Sequence, residues 1–418
     1  MLATSERSQP DTSLGTRRIL VLTGPFPTAT QPGYGVFVKE RMGAVAKLPG
    51  YDLRVISPTP YFPPIKAMKR WYSWSQFPKK ETIGDLEVVR PKYFQPPKIG
   101  GYVNPQLAWR ATTRAVDRIR RTFDFDLIDA HWTYPWGVLG TMLGERYGKP
   151  VVITGRGEDI LRFPQLPLVG GMIRRAVPRV DRFIALSGEI ASAFERCGAP
   201  TDRITLIPNG VDCDKFRPVP IDETRRQLNL PCDRPIVVSV GALQERKGFH
   251  ILVDSLPLVR RQFPDAMVVI VGGPAAHEAD FSAEIRRRIT HLGLQNDVVL
   301  AGPKTHDELY KWYGSADVFG LLSSREGSPN VLMEALACGT PAVATPVGGI
   351  PETLSDDRLG IVLPDRTAES AAAGVVEALT RKRCRQTIRT IMEGRSWKQT
   401  AQQVEKVFDN ALSSCKNQ

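Results

Sequence analysis

Short apolar runs recur along the chain, and segments with helical periodicity lie between them. Most runs are continuously apolar rather than alternating, which predicts strands covered on both faces, as in a parallel sheet. In the first half the predicted strands are 18–24, 52–57, 127–131, 150–154 and 182–187. In the second half they are 235–240, 267–273, 297–302, 317–323 and 340–345. Repeated strand and helix units predict a doubly wound α/β architecture.

The apolar runs form two groups, separated by residues 208–235, a stretch rich in Pro, Asp and Arg. A chain of 418 residues is also long for one ordinary domain. The pattern therefore predicts two parallel-sheet domains that face each other across a cleft. Because ligands of open α/β sheets bind beyond the carboxyl ends of the strands, we expect one ligand on each side of this cleft. Residues 1–16 are polar and are expected to be disordered.

Composition excludes several classes of protein. An apolar content of 42% and a charged content of 24% are typical of a soluble globular protein. No run approaches 18 apolar residues, so no transmembrane helix is predicted, and the first residues lack the apolar core of a secretory signal. Six scattered cysteines without a CxxC pair argue against a zinc site or a disulfide framework. They favour a reducing cytoplasm.

The net positive charge of the chain lies entirely in its first half. Residues 1–200 hold 29 basic and 17 acidic side chains, whereas residues 201–418 hold 27 of each. Within the first half, residues 61–80 carry five basic residues, six aromatics and no acid. This composition predicts a segment on an anionic membrane surface. The alternative is a loop whose aromatics pack on the domain. No nucleic-acid-binding motif accompanies the segment, so nucleic acid is not expected as a partner.

The segment SREGSPNVLMEALACGTP, residues 324–341, holds two glutamates eight positions apart. Ser328 is expected to cap a short helix with Pro329 at its first position, and a Gly-Thr-Pro sequence ends it. The helix is apolar on several sides and should be buried. Its unpaired N–H groups would then face the cleft, where they suit a phosphate.

Two interpretations of the glutamates remain open from the residues alone. Glu326, in the loop before the helix, and Glu334, within it, could bind a ligand attached to that phosphate, since a carboxylate can accept two hydrogen bonds from vicinal ribose hydroxyls. Alternatively, Glu334 only favours the helix dipole and Glu326 is a solvated loop charge. Unpaired burial of a carboxylate is costly, so we expect Glu334 to need a partner, and a ligand is the favoured one.

The sequence EGSPNVLMEALACGTPAVATPVGGIPE resembles the E-x7-E signature of glycosyltransferase family 4, whose retaining enzymes have the two-domain GT-B fold. The resemblance covers most of the chain. It implies that Glu326 lies beside the donor sugar and acts in catalysis, and that Glu334 holds the nucleotide ribose. It also implies that backbone amides near Asn330, Val331 and Leu332 bind the diphosphate.

A second segment, VVSVGALQERKGFHILVDSL, resembles the phosphate-binding turn of the same family. Lys247 matches the family's phosphate lysine, although a solvated loop charge is the alternative. The residue after Gly241 is Ala242, where the family has arginine, so we expect Arg246 to supply that second cation.

Two features of the first half match the family as well. The loop after the first strand, GPFPTATQPGYG, contains Gly33 and Gly35, and the family has a similar glycine-rich loop touching donor phosphate and acceptor. His131 ends a predicted strand and is expected to be exposed at its carboxyl end, which is the functional edge of such a sheet. The resemblance implies that His131 contacts the donor sugar. A structural histidine is the alternative.

Three further residues follow the next strand, in ITGRGEDI. Arg156, Glu158 and Asp159 are expected to face the cleft as candidates for acceptor binding. The alternative is a pair of acids that cap a helix. Asp124-Phe125-Asp126 mimics a metal-binding D-x-D motif but precedes its strand at the end away from the cleft, so we interpret it as a turn. Neither a metal nor another cofactor is expected.

The resemblance also implies a division of the chain. Residues 17–208 would form the acceptor-binding domain and residues 209–395 the nucleotide-sugar-binding domain, and the helix at 397–413 would pack back on the first. The expected function is retaining transfer from a nucleotide diphosphate sugar, with UDP favoured, to a lipid-linked or growing polysaccharide of the bacterial cell envelope. The enzyme is expected on the inner face of the membrane. Alternatives are a nucleotide-sugar epimerase or hydrolase, or a non-catalytic sensor of nucleotide sugars.

Overall fold

A computed structural model of the chain describes residues 15–61, 63, 66, 69–96, 100–274 and 279–416. Most of the segment expected to be disordered, residues 1–14, lies outside the described residues. So does part of the basic aromatic segment at 61–80.

The first domain is built on a mostly parallel sheet. Its strands are β1 (Arg17–Leu22), β2 (Tyr51–Ile56), β3 (Thr59–Tyr61), β4 (Lys80–Ile83), β5 (Leu86–Val89), β6 (Lys92–Phe94), β7 (Leu127–His131), β8 (Val151–Gly155), β9 (Arg182–Ala185) and β10 (Ile204–Leu206). Among the described residues the sheet order is β10-β9-β8-β7-β1-β2-β5-β4, and β4 is the antiparallel edge. Strands β3 and β6 form a separate parallel pair.

The second domain is built on a parallel sheet. Its strands are β11 (Ile236–Val240), β12 (Met267–Val271), β13 (Val298–Gly302), β14 (Val318–Leu321), β15 (Ala342–Ala344) and β16 (Gly360–Val362). In the described part of the chain their order is β13-β12-β11-β14-β15-β16. Together the two sheets confirm the predicted pair of doubly wound domains.

Helices cover both faces of each sheet. In the first half they are α1 (Val36–Ala46), α2 (Lys69–Ser75), α3 (Asn104–Arg120), α4 (Val138–Tyr147), α5 (Glu158–Leu161), α6 (Pro167–Ala176) and α7 (Gly188–Arg196). In the second half they are α8 (Ile221–Gln227), α9 (Phe249–Val259), α10 (Ser282–His291), α11 (Leu309–Ser315), α12 (Asn330–Ala337), α13 (Ile350–Thr353), α14 (Ala368–Arg381), α15 (Arg385–Glu393) and α16 (Trp397–Lys416). No helix within the described ranges is both long and apolar enough to cross a bilayer.

Burial on both faces explains why the strands are continuously apolar. In β1, Leu20 and Leu22 pack into one core of the first domain, and Ile19 and Val21 pack into another on the opposite face. A parallel strand between two helical layers has no solvent-facing side, so alternation between apolar and polar residues disappears.

The chain crosses between the domains at two neighbouring points. Val211 N donates to Arg395 O at 3.1 Å, and Trp397 N donates to Val211 O at 3.3 Å. After the second crossing α16 packs on the first domain, where Val404 and Phe408 join the core that contains β1.

Candidate active site

Loops that follow the strands of the two sheets meet across the cleft. Arg325, in the loop after β14, places Nε 2.9 Å from Oε1 of Glu158, which follows β8. Gly188 N in the first domain donates a hydrogen bond to Glu352 Oε1 in the second at 2.8 Å. The carboxyl edges of both sheets therefore form one interdomain site.

Glu326 and Lys247, which the sequence places 79 residues apart, form an ion pair in this cleft. Lys247 Nζ donates to Glu326 Oε1 at 2.5 Å, and Ser323 Oγ donates to the same oxygen at 2.7 Å. Only 13% and 11% of the two side chains are exposed. The charge of Glu326 is thus balanced within the protein, and Glu326 is not a solvated loop acid.

Glycines hold this pair in place. Gly248 follows Lys247 with a φ of 72°, and a Cβ there would lie 2.0 Å from Leu322 O, so the turn that carries Lys247 packs directly on the loop after β14. Gly348 has a φ of 57°, and its Cβ would lie 1.9 Å from Glu326 O. Both positions combine a left-handed backbone with close approach, which L-residues with a side chain do not tolerate.

Glu334 lies in the apolar helix α12, as predicted, and its carboxylate has partners within the protein, whereas the expected ligand stays a prediction. Tyr313 Oη donates to Oε2 at 2.8 Å, and His306 Nε2 lies 2.9 Å from Oε1. Burial, reinforced by the charge of Glu334, raises the pKa of Tyr313, so the phenol stays a neutral donor. The protein itself therefore satisfies this buried acid.

The start of α12 differs from the prediction. Pro329 occupies the capping position, and the helix begins at Asn330. Among the described residues no amide of the helix bonds the hydroxyl of Ser328, which instead accepts a hydrogen bond from Asn209 N at 3.2 Å. Leu332 N donates to Pro329 O at 3.1 Å, so this amide is already used. The amides of Asn330 and Val331 make no hydrogen bond among the described residues, and these two remain suited to an anion.

A cavity of about 40 Å³ lies between the domains beside Glu334, His306 and Asn330, with Val36 and Phe37 as its wall in the first domain. Small-molecule sites typically have volumes of about 300–1,000 Å³. The cavity has room for little more than one water molecule, so it must widen to take a nucleotide.

His131 ends β7, as predicted, but the expectation that it is exposed was wrong. Its side chain is fully buried. Arg156 Nη2 lies 2.7 Å from Nδ1 of His131, and because a guanidinium only donates, the ring proton is on Nε2. This Nε2 lies 3.1 Å from Asp129 Oδ2, in a contact whose geometry is not that of a hydrogen bond. Burial lowers the pKa of His131 to about 4, against the opposing effect of Asp129. The imidazole is therefore neutral and faces a buried guanidinium.

Asn209 links this buried cluster to the first residue of α12. Its Oδ1 accepts from Arg156 Nη1 at 3.1 Å and from Arg41 Nη2 at 3.4 Å. Its Nδ2 donates to Asn330 Oδ1 at 2.9 Å. Desolvation lowers the pKa of Arg41 to about 10. Neither Arg41 nor the linking role of Asn209 was predicted from the sequence.

The acceptor-side candidates have different surroundings. Asp159 does not offer its carboxylate to the cleft, because Oδ2 accepts from Thr133 N at 2.6 Å and Oδ1 accepts from Arg156 N at 3.0 Å. Burial raises the pKa of Asp159. Glu158 is exposed and paired with Arg325 across the cleft. Arg156 is buried in the histidine cluster, so it does not face an open acceptor site in this structure.

The remaining predicted donor residues lie on turns around the site. Gly35 precedes α1 with a φ of 71°, and its Cβ would lie 2.3 Å from Pro25 O, whereas Gly33 has no neighbour within 4 Å of an added Cβ. Gly241 follows β11, and its amide donates to Val271 O. Arg246 lies beside Lys247 in the same short helical turn, and its carbonyl accepts from Ser324 N at 2.8 Å.

Family models cover both halves of the chain. The model described as "Glycosyltransferase Family 4" matches residues 33–215, and the one described as "Glycosyl transferases group 1" matches residues 220–397. A GDP-mannose-dependent alpha-(1-6)-phosphatidylinositol monomannoside mannosyltransferase from Mycobacterium tuberculosis is 32% identical over 87% of this chain and 89% of its own. A putative teichuronic acid biosynthesis glycosyltransferase from Bacillus subtilis, TuaC, is 27% identical over 87% and 88%.

Solved structures share the two-domain fold at low identity. Sucrose-phosphate synthase from Thermosynechococcus elongatus superposes with a TM-score of 0.76 at 21% identity, covering 95% of this chain and all of that one. HepE from Anabaena, in complex with UDP, gives 0.70 at 22% identity, with coverage of 94% and 99%. The shared fold, the two family models and the mycobacterial relative show that this chain belongs to glycosyltransferase family 4 and is a GT-B glycosyltransferase.

Proposed function

We propose that this enzyme transfers a glycosyl group from a nucleotide diphosphate sugar to a hydroxyl acceptor, with retention at the anomeric carbon. The observation that carries the proposal is the ion pair between Lys247 and Glu326 beside the first turn of α12. A cation and helical amides suit a diphosphate, and an acid at the same point suits the sugar attached to it.

The proposed chemistry concentrates charge on the leaving group. The bond between the anomeric carbon and the diphosphate oxygen breaks, and its electron pair leaves with the diphosphate. The ammonium of Lys247 and the amides of Asn330 and Val331 stabilise this charge, as preorganised donors do. The acceptor oxygen attacks the same face of the sugar, and its proton passes to the leaving phosphate. Glu326 positions the sugar and is not assigned as a nucleophile.

On the nucleotide side, we assign the ribose hydroxyls to Glu334. His306 is 37% exposed, so it can be displaced from Oε1 while buried Tyr313 continues to hold Oε2. The contact of His131 with the donor sugar stays a prediction. It requires a rearrangement of the cluster with Arg156, because the imidazole is buried. The second phosphate cation, Arg246, also stays a prediction.

The donor and acceptor are proposed from the relatives and the sequence. A UDP-sugar is the donor expected from the sequence, and GDP-mannose is the first alternative, because the mycobacterial relative is named as dependent on it. A lipid-linked or polymeric saccharide of the cell envelope is the proposed acceptor. The names of TuaC and of the mannosyltransferase, which mention teichuronic acid and phosphatidylinositol mannoside, support it.

We also propose peripheral attachment to the inner face of the membrane through the first domain. The alternative interpretation of residues 61–80 holds for two of the six aromatics, since Trp74 and Phe77 are 6% and 4% exposed and pack in the domain. Tyr61 is 40% exposed and remains suited to a bilayer interface. Lys69 and Arg70 have side chains outside the described set.

The test is a donor panel with a membrane extract as the source of acceptor. Labelled UDP-glucose, UDP-galactose and GDP-mannose are incubated with wild-type enzyme, with Glu326→Ala and with Glu369→Ala, an exposed acid on α14 that serves as the matched control. We expect transfer of label by wild type and control and none by Glu326→Ala. Full transfer by Glu326→Ala would remove the assignment. Chelation by EDTA is expected to leave the rate unchanged, since the proposal includes no metal.

The same assay separates the alternatives. An epimerase or hydrolase would release an isomer or free sugar without any extract, and a sensor would bind a donor without consuming it. Either result with wild-type enzyme would replace the transferase proposal for this chain.

A further inference from the structure

A basic groove outside the cleft is not used by the proposed reaction. It is a cavity of about 610 Å³ between the second half of α3 and the strands β4 and β5. Seven basic residues and one acid line it, so its charge is strongly positive; these are Arg54, Lys79, Lys80, Arg90, Lys92, Arg114, Arg118 and Glu87.

The protein neutralises only part of this charge. Lys80 Nζ is 3.1 Å from the single acid, Glu87, and buried Arg90 pairs with Glu81. In the described part of the chain, the side chains of Lys79, Arg114 and Arg118 form no hydrogen bond or ion pair. A cluster of uncompensated cations in a concave site attracts an anionic ligand.

Lys92 shows the same imbalance. Its Nζ donates to Ser75 O at 2.7 Å, and no carboxylate among the described residues lies within 4 Å. Partial burial, and then the positive charge of Lys79, lowers the pKa of Lys92. The positive charges of Lys79 and Lys92 therefore repel each other, and a bound anion would reduce this repulsion.

The floor between the cations is apolar. Arg114 and Arg118 are four residues apart on α3 and share one helix face. The apolar residues of the lining are Val89, Ala111, Ala115, Ile119 and Phe123. The guanidinium of Arg54 lies 5.3 Å from the centre of the Phe123 ring. A ligand with a charged head and an apolar continuation fits such a groove better than a free inorganic anion.

Exposed aromatics adjoin the groove. Phe94 is 55% exposed and lies two residues after Lys92 on β6, so both side chains point to the same face of the strand. Tyr61, 40% exposed, is paired with Phe94 across β3 and β6. Aromatic side chains beside basic ones are typical of a bilayer interface.

We infer that the groove binds the head group of an anionic phospholipid. Lipid binding in this groove rests on the proposed membrane attachment, for which it supplies the lipid class and the site. The proposed sugar transfer does not depend on lipid binding. The phosphate would lie between Lys79, Arg114 and Arg118, and the glycerol and first acyl carbons would lie on the apolar floor. Phe94 and Tyr61 would enter the interface beside it.

The test compares binding of the full chain to phosphatidylcholine vesicles with and without phosphatidylglycerol. Arg114→Gln with Arg118→Gln removes two charges from the groove. Arg261→Gln with Arg286→Gln makes the same change in net charge at exposed positions of the second domain. We expect the groove variant to bind the anionic vesicles roughly 30-fold more weakly, because each of the two basic residues contributes about fivefold at such a surface. The control variant is expected to bind like wild type.

Competition identifies the ligand. Short-chain phosphatidylglycerol is expected to displace the wild-type protein from vesicles, and inorganic phosphate at the same concentration and ionic strength is not. Equal displacement by phosphate would overturn the lipid assignment in favour of a free anion. Equal loss in both variants, no loss in the groove variant, or no binding of wild type would overturn the site. Consumption of donor in solution is measured in parallel and is expected to be equal in all three proteins.

Discussion

Mild acid should lower the free energy of unfolding of this protein because of one buried side chain, His131. The imidazole is fully buried, and burial lowers its pKa from an ordinary 6.5 to about 4. In the unfolded chain the same ring takes up a proton near its ordinary pKa. Between these two values the unfolded state binds more protons than the folded state, so the free energy of unfolding falls as the pH falls.

The size of this effect follows from the two pKa values. A group with pKa 6.5 unfolded and about 4 folded contributes a loss of about 2 kcal/mol between about pH 7 and about pH 5. Asp159 acts in the opposite direction, because burial raises its pKa. Its contribution is common to wild type and to a His131 variant, so it cancels in their difference.

The assay is urea denaturation at several pH values between these limits. His131→Gln retains an acceptor for Arg156 but has no titrating group at this position. The variant should be less stable than wild type near pH 7, and its free energy of unfolding should fall by about 2 kcal/mol less than that of wild type on acidification. His291→Gln, at an exposed position on α10, should follow the wild-type profile. Parallel pH profiles for wild type and His131→Gln would refute the assignment of a neutral, buried imidazole.

Three further predictions concern the cleft. Gly35→Ala should lower the free energy of unfolding by more than about 1 kcal/mol, because Gly35 has a positive φ and an added Cβ would clash with Pro25 O. Gly33→Ala should be at least as stable as wild type in thermal denaturation, because an added Cβ meets nothing there. Lys247→Met should lower kcat by about 10²–10³ in steady-state assays with the fold retained, and an unchanged kcat would show that the lysine does not stabilise the leaving group. Glu334→Ala should weaken nucleotide binding by roughly tenfold or more in calorimetry, and Tyr313→Phe, which keeps the acid, should weaken it less.

The strands that the sequence predicted and those that it missed differ in burial. All ten predicted runs form strands, and nine of them lie inside a sheet, whereas β13 is an edge strand with only its first residue buried. The missed strands include β4 and β5, at the edge of the first sheet, where KETI and LEVV alternate between more and less buried positions. Such short edge strands lack a continuous apolar run. The pair β3 and β6 was missed because each has only three residues and neither TPY nor KYF is a continuous apolar run.

The site was predictable in its residues but not in its contacts. Spacing and resemblance singled out Glu326 and Lys247, yet only the packing of Gly248 on the loop after β14 brings them together. Burial of Glu334 was predicted, whereas its partners come from α11 and the loop before it, which sequence alone does not connect with α12. His131 was expected to be exposed because the position of a strand end does not reveal that Arg156 covers it.

The return of α16 to the first domain bears on the order in which the protein takes shape during synthesis. Val404 and Phe408 belong to the same core as Ile19 and Val21, so the ribosome must translate almost 400 further residues before that core of the first domain is complete. The second domain has all its strands by residue 362 and can assemble earlier. Nascent chains of this enzyme should therefore depart from the usual order in which the amino-terminal domain folds first, and they should expose an apolar sheet for chaperones to shield until the last helix emerges.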